Sequence, residues 1–111
     1  MTMKPVSYFI QVRGNCCENC GASFQEFTNE PTRHHAIEPR NKNHPELDNE
    51  INIELVGWSC CHSSGKLDTE SHAIEFAKRQ IARGVDVIEW YYSLPLKVLR
   101  FPNLRGMING Q

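Results

Sequence analysis

Three short stretches concentrate the residue types that do metal and proton chemistry. "GNCCENCG" carries Cys16, Cys17 and Cys20 between Gly14 and Gly21, "TRHHAIEPR" sets His34 beside His35, and "SCCHSS" runs Cys60, Cys61 and His62 together. Neighbouring imidazoles are poor material for a packed core, because each ring nitrogen needs a hydrogen-bond partner. The same pair suits a metal site or a proton-transfer site, since imidazole changes charge near neutral pH and ligates metals readily. The five cysteines are an odd number, which argues against a closed disulfide framework. Their clustering in a polar, glycine-flanked context points to a metal instead.

Such groups need elements to position them. "VSYFIQV" alternates, with Val6, Tyr8, Ile10 and Val12 on one face, and predicts an N-terminal strand. "RHHAI" predicts a short strand, and "EPRNKNHPELDNE", with Pro39 and Pro45, a long polar loop. "INIELV" predicts the next strand, carrying Asn52 and setting Ile51, Ile53 and Leu55 on one face. Ser59 is the expected cap of a helix that Gly65 cuts short. A longer helix follows, capped by Asp68 or Thr69, with Ala73, Ile74, Ala77 and Ile81 as its apolar stripe and Gly84 at its end. A last helix is capped by Asp86, buries Val87, Trp90, Tyr91 and Leu94, and stops at Pro95. The order predicts one small α+β domain over residues 1–111.

Composition narrows the class. With 40% hydrophobic and 23% charged residues, wholesale disorder is excluded. No apolar run reaches membrane-span length and no signal-peptide pattern opens the chain, so a cytoplasmic protein that makes no membrane contact is expected. The net charge of −1 carries no global argument for nucleic acid. Local charge is more telling: no acid follows Trp90, while Lys97, Arg100 and Arg105 do, and Arg33, Arg40 and Lys42 bracket the histidine pair.

Cys17-x-x-Cys20, His34-His35, Asn52 and Cys61-His62 stand in the order of an HNH endonuclease. The chain resembles that family over about residues 16 to 66, in the manner of its short stand-alone phage and mobile-element members. The resemblance implies a ββα-metal core, a β-hairpin and a helix clasping one divalent metal, with the cysteine knuckle beside it. It implies hydrolysis of DNA phosphodiester bonds, in double-stranded or branched DNA. By the same resemblance His35 matches the general base, His34 and His62 the ligands of a catalytic Mg²⁺ or Mn²⁺, and Asn52 the residue that holds the loop and orients the base.

Phosphodiester hydrolysis needs a deprotonated water and a cation to stabilise charge on the phosphate, and these residue types supply both. Adjacent strand residues point to opposite faces, so a shared metal would call for a bulge at His34-His35. A structural Zn²⁺ takes four ligands. Cys17, Cys20 and Cys61 supply three, and the fourth is Cys16 or Cys60, since Trp58 occupies the position three before Cys61. His44 and His72 read as surface residues. The alternative to a nuclease is a zinc-knuckle module that binds nucleic acid or protein without catalysis.

Overall fold

Two strands, β1 (Pro31–His35) and β2 (Ile53–Gly57), pair antiparallel in a continuous register from Pro31 opposite Gly57 to His35 opposite Ile53. The computed structural model describes residues 4–109, so the ends of the expected domain, 1–3 and 110–111, lie outside the described residues. Four α-helices surround the hairpin among those residues: α1 (Val6–Arg13), α2 (Glu70–Ala82), α3 (Val87–Tyr92) and α4 (Leu104–Ile108). This is a small α+β fold, and none of its described helices is long and apolar enough to cross a membrane.

The segment expected as an N-terminal strand is α1. Val6, Phe9 and Ile10 are spaced three and four apart, so the stretch satisfies the helical period as well as the alternating one. Pro5 precedes the first turn, and Gly14, at φ 106°, closes the last by donating its N–H to the Ile10 carbonyl at 2.9 Å. As a helix the segment buries Phe9 against Ile53 and Leu55. Arg13 then reaches Glu18 at 3.0 Å, the Ile53 carbonyl, and the Glu50 carbonyl at 3.2 Å. Tyr8 adds a 2.9 Å bond to Glu50. The helix is therefore tied to β2 by buried apolar area and by charge-assisted hydrogen bonds.

On the other side of the hairpin lies α2. Thr69 caps it, accepting from the His72 N–H at 3.1 Å, and Gly84 takes the left-handed backbone, φ 87°, just past its end. Its inward residues are His72, Ala73, Phe76, Ala77 and Gln80, so the buried stripe is rotated from the expected one and Ile81 is exposed. Phe76 and Ala77 join Ala36, Ile37, Leu47, Val87, Tyr91, Leu94 and Leu104 in the main core. Asp86 caps α3 through the Glu89 N–H at 3.0 Å, with Val87, Tyr91 and Leu94 inward as expected and Trp90 half-buried.

The expected helix at "SCCHSS" is one turn of 3-10 helix, His62–Ser64, that starts after Cys61 and is ended by Gly65 at φ 74°. Ser59 does not cap it; its N–H is held by Asn29 instead. The long polar loop also contains two single turns, Pro45–Leu47 and Glu50–Asn52. Asn52 thus sits one residue before β2 rather than inside a strand.

Candidate functional site

Cys17, Cys20, Cys60 and Cys61 bring their sulfurs within 4.8 Å of one another. All are free thiols, and the Cys17–Cys61 sulfur separation is 3.7 Å. That is far beyond a disulfide bond of about 2.05 Å. It matches the edge of a tetrahedron whose metal–sulfur bonds are about 2.3 Å, which is about 3.8 Å. The fourth position is Cys60. Cys16, the other possibility, is exposed, bridges Ser23 through its backbone, and stands outside the cluster.

Two adjacent cysteines can both reach the cluster because their backbone is held from outside. Asn29 accepts from the Ser59 and Cys60 N–H groups, both at 3.1 Å, and donates to the Ser23 carbonyl at 3.2 Å. Gly57 is obligatory there, since a Cβ would lie 2.4 Å from the Asn29 amide oxygen and 2.6 Å from the Cys60 sulfur. On the first arm the Gly21 N–H returns to the Cys17 carbonyl at 2.9 Å, with Gly21 at φ 82°. Asn19 donates to the Cys61 sulfur at 3.2 Å. The hydrogen bond from the Ala22 backbone brings the Cys20 thiol down to about 7, whereas burial pushes Cys61 up to about 12 and also raises Cys60. One thiolate is ready near neutral pH, and a cation must displace protons from the others.

The continuous register means that no bulge distorts the histidine pair. His34, opposite Glu54, faces α2; His35, opposite Ile53, faces the α1 side. On the α2 side His34, Glu54 and His72 form a second group whose donor atoms lie within 4.8 Å. The His72 Nε2 is 2.6 Å from Glu54 Oε1, Arg79 donates to Glu54 Oε2 at 2.6 Å, and the His34 Nδ1 is 3.6 Å from Oε1. Burial alone would raise the Glu54 carboxyl, but the His34 ring and the hydrogen bonds from His72 and Arg79 overcome it and hold it at about 2. Glu54 is an anion with 0% exposure. The His34 Nδ1 is buried without a hydrogen-bond partner, which in a polar interior marks a place for a further ligand.

His62, expected as the second metal ligand, stands beside this group rather than in it. Its ring is 5.5 Å from that of His34 and stacks on Trp58 at 4.8 Å. Its Nδ1 is also buried without a partner. Burial lowers its pKa, as does the nearby His34, against a smaller opposing effect of Asp68. Asp68 is 3.3 Å from the His34 Nε2. The expectation that His72 is a surface residue is corrected: it is 8% exposed and bound to Glu54. Both missed members had a signal. Glu54 is a lone charge inside an apolar strand, on a face that α2 covers, and His72 lies three residues past Thr69, in the first turn of α2.

His35 ends β1 with its Nε2 2.7 Å from the Asp48 carboxylate. Asp48 carries no positional mark in the sequence, being one acid among several in a polar loop. Asn52 is fully buried and uses its whole side chain: its oxygen accepts from the Ile37 and Glu38 N–H groups at 2.9 and 3.2 Å, and its nitrogen donates to the Glu38 and Leu47 carbonyls at 2.8 and 3.0 Å. It ties the start of the loop to the turn just before Asp48. His44 stands apart, paired with Glu46 at 3.0 Å.

Compared with protein-family models, curated proteins and solved structures, the chain matches none.

Proposed function

We propose that the chain is a metal-dependent endonuclease of the HNH type that hydrolyses DNA phosphodiester bonds, with the hairpin and the helical segment after it as a ββα-metal core. The observation that carries this reading is the end of β1. There one histidine is gripped by a carboxylate while its neighbour belongs to a group of donors able to hold a metal. His35 is the general base. With its Nε2–H given to Asp48, Nδ1 is the basic nitrogen and takes the proton of the attacking water. Asn52 positions His35 indirectly by fixing the loop that presents Asp48.

Because the pair diverges onto two faces, the scissile phosphate lies past the strand end, where β1 stops at His35. The donors around His34 suit a divalent cation, and two imidazoles with a carboxylate favour Mn²⁺ over Mg²⁺. That cation supplies charge stabilisation to the phosphate and to the leaving oxygen. His62 is placed to serve as a further ligand or to contact the phosphate. The four thiolates suit Zn²⁺ in a closed structural site.

The test is incubation of pure protein with supercoiled plasmid, with Mg²⁺, Mn²⁺, Zn²⁺, Ni²⁺ or EDTA. Metal-dependent nicking is expected, and His35→Ala should slow it about 10²- to 10⁴-fold with an unchanged melting curve. Equal cutting by His35→Ala would remove the base assignment. A parent that never cuts would leave the second reading, a zinc-knuckle module that binds without catalysis. One observation favours it: both Glu54 oxygens are already paired, with His72 and Arg79.

A further inference from the structure

A cationic cleft opens beside His35, on the far side of the polar loop. The small pocket of about 290 Å³ that holds His35 is lined by Arg33, Arg40 and Asp48. Arg40 also lines a second cleft of about 420 Å³, whose opposite wall carries Lys97 and Arg100. The two cavities therefore adjoin at Arg40.

The sequence holds these cations far apart, and one buried lock brings them together. Tyr91 donates to Glu38 at 2.5 Å, the Arg100 N–H donates to the same oxygen at 2.6 Å, and the Phe101 N–H donates to the Tyr91 hydroxyl at 2.9 Å. This lock lays the segment after α3 against the loop that follows β1. It also occupies the carboxylate of Glu38, which lines the second cleft and is 1% exposed. Asp48 is occupied by His35. Arg33 donates to a neutral carbonyl, that of Lys4, at 2.7 Å, so its charge is uncompensated. Among the described residues Arg40 and Lys97 have no hydrogen-bond or ion-pair partner, and no acid follows Trp90.

We propose that this cleft carries the phosphodiester backbone of duplex DNA, running from the His35 pocket past Arg40 to Lys97 and Arg100. The inference rests on the endonuclease reading for its direction, but not for its chemistry. The unpaired, exposed Arg40 and Lys97 lead this groove, and Arg100, whose guanidinium also pairs with Glu38 at 3.6 Å, adds to it. Cationic groups so arranged bind successive phosphates and release their counterions. Arg40, common to both cavities, is the contact nearest the scissile phosphate.

The experiment is fluorescence anisotropy of a labelled duplex, with zinc-retaining His35→Ala protein as the non-cutting background, titrated across salt concentrations. Adding Arg40→Gln and Lys97→Gln should weaken binding about tenfold or more and reduce the slope of log K against log salt by about 2. Adding Lys66→Gln and Lys78→Gln instead should leave the slope unchanged. An unchanged slope in the first pair, or an equal loss in the second, overturns the assignment. The two readings fail separately. Salt-sensitive binding through Arg40 and Lys97 by a protein that never cuts would sink the nuclease and keep the cleft. Full plasmid cutting by the Arg40→Gln/Lys97→Gln protein, with unweakened binding, would do the reverse.

Discussion

The cysteine knuckle takes its four sulfurs from two short loops at one end of the hairpin, each braced by backbone hydrogen bonds and by Asn29. The histidine group instead draws one donor from β1, one from β2 and one from α2, and braces them with a single arginine. In the knuckle the thiols converge on one another, with Asn19 donating to the Cys61 sulfur, so without a cation four sulfurs pack together for little gain. In the histidine group the carboxylate already has partners, and only the His34 Nδ1 is left over. A knuckle of the first kind would depend on a bound metal to fold, whereas a group of the second kind would hold its shape without one. That difference underlies the proposal of a structural metal in the first and a working metal in the second.

Breaking the knuckle should have the largest effect. Structural zinc in small domains supplies roughly 10 kcal/mol or more of folding free energy. Cys17→Ser and Cys61→Ser should therefore give protein without a cooperative melt, and Cys60→Ser should follow them. Cys16→Ser, outside the cluster, should shift the melting temperature by less than about 3 °C. Thermal denaturation with elemental analysis of each variant checks this. A Cys16→Ser loss equal to that of Cys60→Ser would return the fourth ligand to Cys16.

The histidine group should respond to acid in metal-free form. Glu54 falls from an ordinary carboxyl value of 4.5 to about 2 on folding, so its contribution is present above 4.5 and lost as pH falls towards 2. Its size is on the order of 3 kcal/mol. Because the cysteines also take up protons in acid, the informative quantity is the stability difference between parent and Glu54→Gln. Urea midpoints at pH 5, 4 and 3 should show that difference shrinking steadily. A constant difference would mean that Glu54 is not ionised in the fold.

A smaller effect separates His72 from His44. His72→Ala should weaken divalent-metal binding about tenfold or more while leaving the zinc content alone, and His44→Ala should change neither. Calorimetric titration of Mn²⁺ into zinc-loaded protein measures the first, and elemental analysis of the same samples the second. Equal affinities would confine the working metal to His34 and His62.

Much of this was legible in the sequence. The two strands, the caps at Thr69 and Asp86 and the inward face of α3 follow from local patterns that tertiary packing leaves in force. The N-terminal segment is ambiguous in sequence because eight residues with apolar positions 6, 9 and 10 fit two periods, and Pro5 and Gly14 favour the helix. The knuckle was nearly complete in the sequence, because Cys17, Cys20 and Cys61 fall in two short local segments where the HNH resemblance implies ligands. Only the choice between Cys16 and Cys60 needed the fold, because it depends on how Asn29 and Gly57 turn the second arm. The histidine group was half legible. His34 declared itself by its neighbour, but Glu54 and His72 meet it only when α2 covers the second face of β2. Asp48 gains meaning only where Asn52 ties the loop back towards His35.

The most direct measurement is plasmid cleavage as a function of added Mn²⁺ by protein loaded with one equivalent of Zn²⁺, for the parent and for His34→Ala. A rate near zero without added metal is expected for the parent, rising to saturation. For His34→Ala the midpoint should shift about tenfold or more to higher Mn²⁺ at unchanged zinc content. Cleavage by the zinc form with no added metal, or the same Mn²⁺ dependence in His34→Ala, would contradict the assignment of a separate working metal to the histidine group.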